Sequence, residues 1–397
     1  MNIRIVFIFI PLFFSIGCFL QNKDSSSNEK STIRVASYNV SLFRNEEGGL
    51  IKDLSSVDNQ QARNIAEIIQ TVRPDIITLM EFDYDSAQEG LTLFQENYLS
   101  ISQHGKEPVV YKYSMVFPSN TGVTSGLDFN NDGKVEGPND AYGFGRFPGQ
   151  YAFALLSNYP INKEKIRTFQ RFLWKDMPGA LWPAYADSTD YYTDEEKEQF
   201  RLSSKNHADV PIAIPGGPIH LLISHPTPPV FDGPEDKNGR RNHDEIGLWA
   251  DYISGGDNAR YLYDDKHNFG GIKGEYFMIM GDLNADPVDG DSYNHAIQQL
   301  LKHPAVHQEA SLGMFVPASK GSEEKAKAKP RKEGDNAGNP LHDTSVWGLR
   351  IDYLLPSKNI EVIESGVFWP SSDDPEYYLI KENAASDHML IWMDFQL

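Results

Sequence analysis

The stretch FMIMGDLNADPVDGD, Phe277 to Asp291, runs an apolar segment directly into a cluster of acids. Phe277 to Met280 are residues of the kind buried in a sheet interior. Asp282, Asn284, Asp286, Asp289 and Asp291 follow in a segment broken by Pro287 and Gly290. Side chains alternate along an extended backbone, so Asp282 and Asn284 are expected on one face at a strand mouth. A carboxylate and an amide so placed can share a water: one accepts its proton, the other orients it or donates to an anion. The three later aspartates are expected to be solvated turn residues.

The pattern of an apolar strand ending in a polar residue recurs along the chain. TIRVASYNV (Thr32–Val40) contains Asn39, DIITLMEF carries Glu81, and IHLLISHP carries His225. RIDYLLPS opens with Asp352 near its start, and HMLIWMDF follows Asp387 and begins with His388. YAFALLSNYPI (Tyr151–Ile161) is a further strand candidate. Asp387 and His388 are adjacent, so both can enter one pocket only at an irregular turn, which NAASDHML offers. Ala62, Ile65, Ala66, Ile69 and Val72 keep helical spacing between a cap at Asp58 and a stop at Pro74. RNHDEIGLWADYIS is a second amphipathic helix, with Asp244 and Glu245 expected to favour its N-terminus. Strands alternating with a few helices indicate an α/β domain whose site lies at strand mouths.

In this order the motifs resemble those of the endonuclease/exonuclease/phosphatase superfamily, with its DNase I-like nucleases, from about Thr32 to the C-terminus; LLSNYPI fits the same resemblance. It implies a four-layer α/β/β/α sandwich of two mostly antiparallel sheets, and hydrolysis of phosphoesters by an activated water. It also implies roles. Asp282 is the general base with Asn284 beside it, and His388 sits on the scissile phosphate with its tautomer fixed by Asp352. His225 is a second phosphate contact, and Glu81 is the main metal ligand, with Asn39 and Asp387 beside it. Hard oxygen donors suit Mg2+, with Mn2+ a plausible substitute.

The rest of the sequence sets limits. The 397 residues are 40% hydrophobic and 12% aromatic, enough to bury a sizeable core. Lys and Arg total 36 against 56 Asp and Glu, a net charge of -20 that disfavours a stable nucleic-acid complex. Arg4, an apolar run from Ile5 broken by Pro11, and Cys18 after SIG resemble a lipoprotein leader. The expected organisation is a signal peptide over 1–17, a tether over 18–31 and a phosphoesterase domain over 32–397. Export to a bacterial periplasm or cell surface, anchored in the membrane by lipid on Cys18, follows from that reading. Residues 118–150, 165–210, 228–275 and 318–345 look like insertions. One holds Asp128, Asn130 and Asp132 at alternating positions before Gly133, like the first half of an EF-hand loop and suited to structural Ca2+. Position twelve is Asn139 in place of the usual Glu, with Asp140 just beyond. Arg146, Arg240 and Arg241 are candidates for holding phosphate. The aromatic block from Arg171 to Phe200 is expected to cover a sheet edge or line a specificity cleft.

Overall fold

The computed structural model describes residues 31–328 and 338–397. Its strands are β1 (Ile33–Leu42), β2 (Ile76–Phe82), β3 (Tyr113–Phe117), β4 (Phe153–Ser157), β5 (Arg167–Thr168) and β6 (His207–Ile214). They continue with β7 (Gly217–Ser224), β8 (Tyr276–Asp282), β9 (Asp352–Pro356), β10 (Glu361–Val367) and β11 (Ile391–Gln396). One sheet has the order β10-β11-β1-β2-β4-β3, the other β5-β6-β7-β8-β9. Each contains a single parallel pair, β1 with β2 and β7 with β8, and is otherwise antiparallel.

Side-chain parity sorts the strands into layers. In β8, Met278 and Met280 join the cluster between the sheets, which also holds Val35, Ile76, Leu221, Leu354 and Ile391. Phe277 and Ile279 face the other way, against Ile246, Trp249 and Tyr252 of the helix Lys237–Ser254. On the far side of the first sheet, Ile77 and Leu79 pack with Ala62, Ile65 and Ile69 of the helix Gln60–Val72. The result is the four-layer sandwich, two mostly antiparallel sheets between helices.

Local chemistry departs from expectation at several points. The first long helix is capped by Asn59, whose side chain accepts from the Ala62 amide at 3.0 Å, and it ends where Arg73 turns left-handed before Pro74. The second begins at Lys237, so Asp244 and Glu245 lie inside it and serve tertiary contacts, not its N-terminus. β6 occupies the end of a segment read as an insertion. Its Pro211 lies past the end of β5, where an isolated bridge between Ile161 and Ile212 replaces a regular strand and the Asn162 amide donates to the Pro211 carbonyl at 2.9 Å, a sheet-edge position that tolerates proline. Phe172, Trp174, Tyr191, Tyr192 and Phe200 from the aromatic block join the outer cluster of the second sheet, and Tyr192 and Phe200 also line a cavity, so the block covers and lines at once. Cys18 and the leader lie outside the described residues, within which no helix is long and apolar enough to cross a membrane.

Candidate active site

The inward-facing parity that builds the inter-sheet core also delivers polar groups to one end of it. In β1, Ile33 and Val35 face the core, and Asn39 shares their parity. Beyond Ile219, Leu221 and Ile223 of β7 comes His225; beyond Met278 and Met280 of β8 comes Asp282; before Leu354 of β9 stands Asp352. Glu81 arrives differently. Met80 faces the inter-sheet core while Phe82 faces the outer cluster, so alternation is reset between them, at Glu81 with φ 56°. That left-handed residue turns a side chain of outward parity toward the mouth.

There the two sheets meet chemically. Asn39 Nδ2 donates to Asp282 Oδ2 across 3.0 Å. The same oxygen lies 3.4 Å from His225 Nε2 and 3.6 Å from His388 Nε2. His388 Nδ1 is 2.9 Å from Asp352 Oδ2, which also accepts from Thr344 Oγ1 at 2.7 Å. All of these except Asn39, Asp352 and Thr344 line a cavity of about 850 Å3, together with Glu81 and Asn284. Burial opposes ionisation of Asp282, but His388, His225 and the hydrogen bond from Asn39 outweigh it and hold the carboxyl well below its usual range. Burial likewise opposes a charge on His388, and Asp352 and Asp282 overcome that, raising it to an imidazolium at neutral pH. His225 is pushed down to about 4 by burial and by Lys205, so its ring is neutral.

A family model described as Endonuclease/Exonuclease/phosphatase family matches residues 36–388. The chain belongs to that family. No curated protein matches it. Solved structures with a similar fold include an endonuclease/exonuclease/phosphatase from Beutenbergia cavernae DSM 12333, 15% identical, covering 92% of this chain and 72% of its own, TM-score 0.49. Sphingomyelinase C from Streptomyces griseocarneus is 14% identical over 92% of this chain and 99% of its own, TM-score 0.43. The human Nocturnin catalytic domain with bound sulfate is 15% identical over 92% and 94%, TM-score 0.43. Membership rests on the family match, and with it phosphoester hydrolysis as the family's chemistry.

Endonuclease/exonuclease/phosphatase chemistry calls for a divalent cation, and the residues present fit one. Burial pushes Glu81 up to about 7 against the pull of His388 and Asn39, and Asp282 adds to the push. A carboxylate this poorly compensated beside a second one is a place for positive charge. Glu81 and the Asn39 side-chain oxygen would hold the ion. Asp387 stands next to them, its carboxylate accepting from Ser41 Oγ at 2.7 Å, while the Ser41 amide donates to Asn39 Oδ1 at 3.1 Å. Ligand atoms of Asp282, Asp352 and His388 also lie within 4.8 Å of one another. Asp352 and His388 spend theirs on each other, which makes that trio a device for holding a proton.

Other expected residues are placed less directly. Asn284 lines the cavity, but not on an extended strand: β8 ends at Asp282, Asn284 has φ 52°, and its amide donates to Asp282 Oδ1 at 3.0 Å. This Asx turn fixes the base, while Asn284 Nδ2 donates to the Pro226 carbonyl. Asp286 is buried: its oxygens accept from the Val288, Asp289 and Arg350 amides, pinning the loop to the start of β9. Arg146 is exposed. Arg240 stacks on Tyr293 and donates to the Glu235 carbonyl. Arg241 reaches the cavity wall, yet its guanidinium donates to the carbonyls of Leu202, Tyr142 and Arg201.

Sequence reasoning missed Lys205, buried at the cavity wall, where burial lowers its pKa and Glu245, Glu81 and Asp282 only partly offset that. It also missed Glu245, fully buried, which accepts from the Ser204 and Thr227 amides at 2.6 Å each and so ties together the segments carrying Lys205 and His225. Trp347, edge-on to His388 with ring centres 5.4 Å apart, is a third. A buried lysine has no periodic signature in a sequence; only the fold brings it to the acids.

Proposed function

We propose that this protein is an exported, divalent-metal-dependent phosphoesterase acting on small phosphoesters whose alcohol is apolar or aromatic. The observation that carries the reading is the chain Thr344–Asp352–His388 ending at Asp282 on the wall of one cavity. Asp352 accepts at Nδ1 and leaves His388 Nε2–H facing the cavity, where it donates to a phosphoryl oxygen. Asp282, ionised and held by Asn39, His225 and the Asn284 amide, takes the proton of the attacking water. When bound, the cation would neutralise charge on the phosphoryl group. Phe129, Tyr192, Phe200 and Trp347 on the cavity wall favour a leaving group with an apolar surface. The net charge of -20 argues against a nuclease that hugs duplex DNA.

Metal-stripped protein assayed with bis-p-nitrophenyl phosphate, p-nitrophenyl phosphate and plasmid DNA, with and without Mg2+ or Mn2+, tests this. Mg2+-restored turnover of an aryl ester is expected, lowered at least about a thousandfold by Asp282→Ala and by His388→Ala. Turnover indifferent to both substitutions removes the mechanism; a strong preference for DNA replaces the reading with a nuclease. Export is tested separately: labelled fatty acid should enter the wild-type chain in a bacterial host and not Cys18→Ala.

A further inference from the structure

The loop that carries Asp128, Asn130 and Asp132 plays no part in the chemistry above, and it contains an anomaly. Asp140 is only 1% exposed, although its neighbours from Asn131 to Gly137 lie open to solvent. Both of its carboxylate oxygens are buried without a hydrogen-bond partner. Burial opposes its charge, Asp128 and Asp132 add repulsion of its own sign, and the Asn130 and Phe129 amides of the same loop offset this only in part, so the side chain is aimed into the loop. An orphaned carboxylate facing two others is costly unless a cation completes it.

We propose that residues 128–140 form a calcium site in which Asp128, Asn130, Asp132 and the Lys134 carbonyl are closed by the carboxylate of Asp140. The first-half spacing is that of an EF-hand, and Gly133 supplies the sharp turn with φ 84°. The Asp128 carboxylate already accepts from the Asp132 and Gly133 amides at 3.1 and 2.8 Å, holding the loop curled. Asp140 takes the place of the missing twelfth-position glutamate from one residue further on. It is delivered by the short helical turn Pro138–Asp140 and anchored through its carbonyl, which accepts from the Ser125 amide at 3.1 Å. A flexible set of oxygens with a carboxylate free to bind through both of its own suits Ca2+ over Mg2+, which demands octahedral geometry and retains water. No flanking helix pair is needed, because Phe129, Asn139 and Ala141 instead form part of the catalytic cavity wall. Calcium here would fix one side of that cavity. The inference stands on the loop alone and does not depend on the reaction proposed above.

Full-length protein stripped of metal, then held in constant excess Mg2+, is titrated with Ca2+ while its melting temperature is followed, and in parallel with Tb3+ while sensitised luminescence is followed. Tyr191, whose hydroxyl donates to the Asn130 carbonyl at 3.3 Å, is placed as the energy donor. Calcium should raise the melting temperature and displace Tb3+ at concentrations where Mg2+ does not. Asp140→Asn should weaken calcium binding on the order of a hundredfold. It should also melt no lower than wild type without calcium, because it removes an unpaired buried charge. Asn130→Ala, at a half-buried position, should weaken calcium binding in the same direction. Displacement of Tb3+ by Mg2+ as readily as by Ca2+, or an undiminished calcium response in both variants, overturns the proposal.

Discussion

Glu81 concentrates the residue-scale argument, because one left-handed backbone angle and one shifted carboxyl set what it does. Its ordinary value of 4.5 rises to about 7 through burial. In the metal-free protein the folded state therefore binds more protons than the unfolded one between those values. Metal-free stability should fall as pH rises across that window and level off above it. Urea midpoints measured with EDTA should show this slope, and Glu81→Gln should make it shallower, leaving the share of Asp83, which burial also pushes up to about 7. A metal ligand must be deprotonated, so the sign for the ion is opposite. At limiting Mg2+, kcat/KM should drop about tenfold per pH unit below about 7, and saturating Mg2+ should move the break to lower pH. The identity of Glu81 was legible because it ends an apolar run. Its φ was not: a glutamate there gives no local sign of left-handed geometry, and the flip emerges only from β2 being clamped between β1 and β4.

At the scale of elements, the helix Lys237–Ser254 does more than cover the second sheet. From inside it Asp244 accepts from Trp174 Nε1 at 2.6 Å and from the Leu181 amide at 2.7 Å, fastening the aromatic block. Glu245 fastens the two segments that carry Lys205 and His225. Glu245→Ala should leave two buried amides without acceptors and cost about 2–4 kcal/mol in equilibrium unfolding. It should also lower turnover on aryl esters more than KM, as Lys205 and His225 lose registration. Conservative Glu245→Gln retains one acceptor and should recover part of both losses. The helix start was read four residues late because Gly239, Arg240 and Arg241 break the apolar period, and its N-cap, Asp236 at φ 52°, makes no side-chain cap. β10 gave little signal for a related reason: it is a sheet edge with exposed residues at alternate and successive positions and so carries no dense apolar run, while β3, the opposite edge, is an apolar stretch of only five residues. Strands buried on both faces, β2 and β8 above all, announced themselves.

For the molecule as a whole, the net charge of -20 and the aromatic-walled cavity act together. An anionic ester must approach against a repelling field, so kcat/KM for a small phosphoester should rise between about 10 and 150 mM salt as screening sets in. An enzyme steered onto its substrate by basic residues would show the reverse. Stopped-flow or initial-rate measurements at fixed free Mg2+ distinguish the two. The order of motifs along the chain was enough for the sandwich and for which residues meet; Lys205 and Trp347 were hidden because the long segments that deliver them have no repeating pattern.

The hydrogen bond from Asn39 to Asp282 joins a strand of one sheet to a strand of the other. Neither sheet carries a working half, so the reaction centre behaves as a gauge of the gap between them. A wedge such as Ala208→Leu, or a void such as Met280→Ala, both deep between the sheets, should change the Asn39–Asp282 span before it unfolds anything. Heating should act the same way: loss of turnover should precede loss of ellipticity, with the interval narrowing when a phosphate analogue bridges the two sheets.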